Sequence, residues 1–154
     1  MRIHRIIERT RAEGPGQRLA VWAQGCKSAC AGCYARELWD MSGGIEMSAD
    51  ELISCIGKAR DGIEGITLLG GEPFLQAGEL SAVAAAAQEH GLSVITFTGF
   101  LHEELLSGAI PYAPELLAQT DLLIDGPYVE PLRNFSRPLV GSKNQRFLFL
   151  TDRY

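Results

Sequence analysis

At 154 residues the chain is long enough to bury a real core as one domain, and its 46% hydrophobic and 21% charged residues are ordinary for a globular protein. A formal net charge of −5 excludes a broad basic footprint for nucleic acid and a polybasic membrane signal. No apolar run approaches the ~18–20 residues of a membrane span, and Met1-Arg2-Ile3-His4-Arg5 carries charge without the apolar block of a secretory signal.

These features predict a cytoplasmic protein with a single domain over residues 1–154. Clustered cysteines in such a reducing compartment bind metal or do redox chemistry more often than they form disulfides.

In chain order, residues 2–9 alternate loosely around Ile3, Ile6 and Ile7 and predict an edge strand. Gly14-Pro15-Gly16 is a rigid turn. A strand over 18–23, with Leu19, Val21 and Trp22, runs straight into a cysteine-rich loop, and residues 39–44 loop again. Ser48-Ala49-Asp50-Glu51 is a capping box opening a helix with Leu52, Ile53 and Ile56 on one face. Ile66-Thr67-Leu68-Leu69 reads as a buried strand ended by Gly70-Gly71-Glu72-Pro73.

Residues 78–90 are alanine-rich and helical, with Gly91 as the expected C-terminal stop. A strand follows at 92–97, a helix at 101–106 broken by Gly108 and Pro111, and a short helix at 114–119. Leu122-Leu123-Ile124 is another buried strand, ended by Asp125-Gly126-Pro127. A polar loop over 129–143 precedes a last strand at 146–150.

Apolar strands alternating with helices imply parallel βαβ units, too few for an eight-fold barrel. The fold expected is α/β, a curved open partial (β/α) barrel with mainly parallel strands. Ligands bind such sheets beyond the carboxyl ends of the strands. Gly25, Gly70, Thr98 and Asp125 fall there, one per strand.

Cys26, Cys30 and Cys33 lie in the order C-x3-C-x2-C within eight residues. Three soft thiolates on one loop suit zinc or an iron–sulfur cluster. Structural zinc takes four ligands, so that alternative needs Cys55, His4, His90 or His102 from elsewhere. Three thiolates on a four-iron cluster would leave one iron open to a small molecule. The glycines at 70 and 71 would let a ligand approach the backbone, and Glu72 would add charge or order the turn. Thr98 and Asp125 are polar-contact candidates, or else a cap and an Asx turn. There is no G-x-x-x-x-G-K-[ST], G-x-G-x-x-G or H-E-x-x-H motif.

The cysteine spacing resembles that of the radical S-adenosylmethionine superfamily. More narrowly, the chain is similar over nearly its whole length to the anaerobic ribonucleoside-triphosphate reductase activating proteins. The likeness rests on Gly14-Pro15-Gly16 with Arg18, the Gln24–Tyr34 loop, Gly70-Gly71-Glu72-Pro73, Thr98-Gly99-Phe100, Asp125-Gly126-Pro127-Tyr128 and Gly141-Ser142-Lys143-Asn144-Gln145, all in the family's order. Ala35 and Val140 depart from that pattern, where asparagine and arginine are common.

The resemblance implies an oxidoreductase whose 4Fe-4S cluster is held by Cys26, Cys30 and Cys33. It implies reductive cleavage of S-adenosyl-L-methionine and a glycyl radical on the reductase, or radical transfer to another protein or small molecule. The methionine moiety would be held by Gly70, Gly71 and Glu72 with the backbone around Gly32, Cys33 and Tyr34, and Thr98 and Asp125 would add contacts. No general acid or base is implied. The implied partners are the large subunit of anaerobic ribonucleotide reductase and a small electron donor such as flavodoxin.

Overall fold

The computed structural model describes residues 1–154. Seven strands form one open sheet in the order β3-β1-β2-β4-β5-β6-β7. They are β1 (Arg2–Thr10), β2 (Arg18–Ala23), β3 (Ile45–Glu46), β4 (Gly65–Gly70), β5 (Ser93–Phe97), β6 (Leu122–Asp125) and β7 (Arg146–Phe149). The four central strands, β2, β4, β5 and β6, are mutually parallel. Expectation and structure part at the edges: β1 pairs antiparallel with β2 and β3, and β7 pairs antiparallel with β6. The sheet does not close.

Helices α1 (Ala49–Ala59), α2 (Ala77–Glu89), α3 (His102–Leu106) and α4 (Ala113–Ala118) fill the crossovers. Helix α1 starts where the capping box places it: the Glu51 N–H donates to Ser48 Oγ at 3.2 Å, and the Ser48 N–H donates back to Glu51 Oε2 at 2.8 Å. Helix α2 stops at His90, after which Gly91 takes φ +75° and the Leu92 N–H reaches Ala87 O at 3.0 Å. That left-handed glycine turns the chain into β5 with its last carbonyls bonded.

Strand alternation divides the core. Leu19, Val21, Ile66, Leu68, Val94 and Leu123 face Leu52, Ile56, Leu80, Val83, Ala84 and Leu116 from the helices. The intervening residues point the other way. Ala20, Trp22 and Leu69 pack with Leu38, and Ile95, Leu122 and Ile124 pack with Val140. The second face is therefore covered by loops: the segment after the cysteines supplies Leu38, and the β6–β7 connection supplies Val140. Loops covering one end of a sheet face leave room for a cavity.

At the opposite, amino-terminal end of the strands, Arg18 is fully buried without a carboxylate partner. Its guanidinium donates to Thr67 Oγ1 (2.7 Å), Pro15 O (3.2 Å), Ser93 Oγ (3.1 Å), Tyr154 Oη (2.9 Å), Ile66 O (2.5 Å) and Ser93 O (3.0 Å). Six acceptors offset part of the desolvation cost that burying a cation imposes. Arg18 thereby ties β2, β4 and β5 together at their amino ends.

Candidate cofactor site

Beyond the carboxyl ends of the parallel strands lies a cavity of about 250 Å3, just under the ~300 Å3 at which small-molecule clefts begin. Cys26, Cys30 and Cys33 line one side. Gly70, Gly71 and Glu72 from the β4 turn, Thr98 and Gly99 from the β5 turn, and Gly126 from the β6 turn line the other. Trp22, Leu38, Leu69 and Phe97 supply the apolar floor. A wider groove of about 700 Å3 lies beside Lys27, bounded by Phe74, Leu75, Gln76, Glu79 and Tyr112, but no cysteine lines it.

The cysteine loop is tied at both roots. Gln24, 3% exposed, donates from Nε2 to Glu37 O (3.1 Å) and Asp40 O (2.8 Å), while its Oε1 meets His4 Nδ1 at 3.1 Å. The Gly25 N–H donates to Leu38 O at 2.9 Å, and Gln76 Nε2 donates to Gln24 O at 3.1 Å. Between these roots the chain turns tightly. Ala29 takes φ +43° and Gly32 φ +71°, and the Cys33 N–H donates to Cys30 O at 3.1 Å.

The β4 turn is locked against the same root. The Gly71 N–H bonds Ala23 O and the Glu72 N–H bonds Gly25 O, each at 2.9 Å. Gly70 has φ +110°, and a Cβ on it would lie 2.8 Å from Ala23 N and O. A Cβ on Gly71 would drive into the Gly25 carbonyl, 2.8 Å from its carbon. The glycine pair thus lets two backbones approach each other, and its bare faces also border the cavity.

Glu72 is 1% exposed and spends its carboxylate on the turns. It accepts from Phe74 N (3.1 Å), Thr98 Oγ1 (2.8 Å) and Gly99 N (2.8 Å). Burial raises its pKa to about 7 against these three hydrogen bonds, which pull it down. Thr98 in turn accepts from the Phe100 N–H at 3.1 Å. Glu72 and Thr98 therefore cross-link the ends of β4 and β5.

Cys26, Cys30, Cys33, Gly70, Gly71, Glu72 and Thr98 all come to the cavity. Gly32, Tyr34 and Asp125 do not line it. Gly32 faces the carboxyl of Glu130, and Tyr34 is 61% exposed with its ring centroid 5.7 Å from that of Tyr128. Asp125 departs most from expectation. Its carboxylate accepts from the His102 N–H (2.8 Å) and pairs with Arg146, which also reaches Glu103 at 2.8 Å. It shares the strand face of Leu123, which points to the helices, so it holds α3 and β7 and makes no contact in the cavity.

Ser28, Tyr128 and Gln145 also border the cavity and were not singled out from sequence. Gln145 had a signal in the Gly141–Gln145 motif. Its Oε1 accepts from Gly141 N (2.8 Å) and Ser142 N (3.1 Å), and its Nε2 reaches Gly126 O (3.1 Å). Trp22, Leu69 and Phe97 are legible only once the strand face they share is known.

The donor set suits an iron–sulfur cluster: three thiols open onto one cavity, with no histidine or fourth cysteine beside them. Burial pushes the Cys30 thiol up, the Tyr128 N–H pulls it down, and nearby Cys26 and Cys33 push it up further. No trio of His, Cys, Asp or Glu side chains is gathered tightly enough here to enclose an ion. No helix is long and apolar enough to cross a membrane.

A family model described as a 4Fe-4S single cluster domain matches residues 12–148. The chain is 30% identical to the anaerobic ribonucleoside-triphosphate reductase-activating protein of Enterobacteria phage T4, over 99% of this chain and 96% of that one. It is 26% identical to the protein of the same name from Escherichia coli (strain K12), over 94% and 96%. It is also 30% identical to the pyruvate formate-lyase-activating enzyme of Clostridium pasteurianum, over 80% of this chain but 50% of that one.

Proposed function

This chain belongs to the 4Fe-4S single cluster domain family and to the anaerobic ribonucleoside-triphosphate reductase-activating proteins, and on that premise we propose that it is an oxidoreductase that reductively cleaves S-adenosyl-L-methionine to generate a glycyl radical on that reductase. One observation carries the reading: three thiols share a small cavity with the Gly70-Gly71-Glu72 and Thr98-Gly99 turns, at the carboxyl ends of the parallel strands. The open sheet is read as the partial barrel of the radical S-adenosylmethionine type.

In this reading Cys26, Cys30 and Cys33 hold a 4Fe-4S cluster. When bound, the cluster supplies the electron that cleaves the sulfonium. The Gly70-Gly71 backbone, bare of side chains, receives the methionine end together with the loop backbone at Cys33, which lines the cavity where Gly32 and Tyr34 do not. Glu72 and Thr98 keep that turn in place, since their polar atoms are already bonded to each other and to backbone. Trp22, Leu69 and Phe97 exclude water from the floor, which strengthens electrostatic contacts inside. A flavodoxin-like donor in the cytoplasm would supply the electron.

Pyruvate formate-lyase-activating relatives favour a second reading, in which another protein receives the radical. The near-complete coverage of the reductase-activating proteins favours the first.

The test is anaerobic reconstitution with iron and sulfide, followed by dithionite reduction with S-adenosyl-L-methionine. Methionine and 5′-deoxyadenosine are the expected products, and a doublet glycyl-radical resonance appears when the reductase is added. Iron-loaded protein that yields no 5′-deoxyadenosine refutes the cleavage. A radical on pyruvate formate-lyase and none on the reductase would select the second reading.

A further inference from the structure

Next to the cavity mouth a series of planar groups runs out into solvent. Tyr128 borders the cavity, and its ring centroid lies 5.7 Å from that of Tyr34, the residue after Cys33. The Arg133 guanidinium sits 4.6 Å from the Tyr34 ring centroid and 4.9 Å from that of Phe135. Tyr34 is 61% exposed and Phe135 is 84% exposed. Stacking between two rings holds a guanidinium in place while leaving its in-plane N–H donors free. Arg133 uses only its backbone N–H in the hydrogen-bond network, toward Glu130 O at 3.0 Å.

No hydrogen-bond acceptor or carboxylate of the protein pairs with that guanidinium, and an outward phenylalanine contributes nothing to the core. Arginine with exposed aromatics is the composition of an interface centre. Charge narrows the occupant. The β6–β7 connection, residues 126–145, carries Arg133, Arg137 and Lys143 against the single carboxylate Glu130, on a chain with a net charge of −5. A locally cationic surface on an anionic protein steers an acidic partner toward this edge in particular. The patch is too open to enclose a small molecule, and it abuts the mouth of the cavity where a protein substrate's glycine must arrive.

We infer that Tyr34, Arg133 and Phe135 form the docking surface for the protein substrate, with a carboxylate of its incoming segment seated in the free fork of Arg133 and apolar side chains against Phe135. This rests on the radical-transfer reading for the identity of the partner. It adds the face used and the acidic chemistry recognised.

The test uses iron-loaded full chain and the intact anaerobic ribonucleoside-triphosphate reductase as probe, with binding measured by titration calorimetry at two salt concentrations. Arg133→Glu is expected to weaken binding about 30-fold and Phe135→Ala about tenfold, the losses typical of anchor residues. Arg133→Lys falls between, since it keeps charge without the flat stack, and the wild-type affinity drops with salt. Cleavage of S-adenosyl-L-methionine without reductase stays at the wild-type rate in all three variants.

Unchanged binding in Arg133→Glu and Phe135→Ala overturns the proposal. So does a wild type that cleaves the cofactor yet does not bind the reductase, which leaves the cleavage reading standing. Binding that is sensitive to Arg133→Glu in a protein unable to cleave supports the docking surface and sinks the cleavage reading instead. Loss of nucleoside triphosphate binding in Arg133→Glu, with reductase binding intact, would assign the stack to a base and overturn the proposal.

Discussion

Glu72 makes stability depend on pH in the direction opposite to most carboxylates. Its ordinary value is 4.5, and burial raises it to about 7 in the folded protein. Between those values the native state binds more protons than the unfolded one, so stability falls as pH rises through this window and levels off above it. Moving one carboxyl over that range costs about 3 kcal/mol at ~1.4 kcal/mol per tenfold change. The carboxylate nonetheless stays because Phe74 N, Thr98 Oγ1 and Gly99 N need an acceptor.

Glu72→Gln removes the titration but turns an amide N–H2 toward the Gly99 N–H or the Phe74 N–H, leaving a buried donor unmet at a cost of about 1–3 kcal/mol. Urea unfolding of both proteins from pH 5 to 8.5 checks this. The variant is expected to be the less stable at pH 5 and to close or reverse the gap by pH 8, because only the wild type loses stability on the way. Two curves that run parallel across the range would refute the assignment of the raised carboxyl to Glu72.

Gly71→Ala is expected to cost about 1–3 kcal/mol, since its Cβ meets backbone at Gly25 that has no room to move; thermal unfolding measures the loss, and an unchanged midpoint would contradict the packing. Cys30→Ala should take up markedly less iron on reconstitution while Cys55→Ala takes up the wild-type amount, and iron loss in Cys55→Ala would add a fourth ligand. Arg18→Met strips the donors from six acceptors at the amino ends of the strands, so a loss of at least about 3 kcal/mol is expected in denaturant unfolding. Gln24→Ala should raise amide hydrogen exchange across residues 26–40 of the cluster-free protein and leave α2 protected, because Gln24 is the side chain that joins the two roots of the loop.

Local signals carried the elements they should. The Ser48 capping box, the glycine at 91 and the strand running into the cysteines are determined by a few neighbouring residues. Strand direction is not local, and period-two alternation reads the same for a parallel and an antiparallel strand. That is why β1 and β7 were legible as strands and their antiparallel pairing was not. Strand β3 is two residues long, too short for any periodicity. Asp125 was readable in principle: two residues after Leu123, it had to share the helix-facing side. Glu72 and Thr98 lie 26 residues apart in the chain, and only the parallel register of β4 and β5 brings them together.

The polar groups around the cavity divide in a way that bears on what the site can recognise. Glu72, Thr98 and Gln145 border it, yet their hydrogen-bonding capacity goes into holding the three strand-end turns together. Gln24 and Gln76 do the same for the cysteine loop from behind. What then borders the cavity is sulfur, glycine backbone, an apolar floor, and the residues Ser28 and Tyr128. A site made this way has no free side-chain charge with which to select a ligand. Under the proposed function, selection would fall to a cluster on the thiols and to backbone carbonyls and amides placed by the turns, which suits a zwitterionic ligand better than an anionic metabolite. The charged groups lie outside, along the β6–β7 connection, where a protein partner rather than the cofactor would meet them.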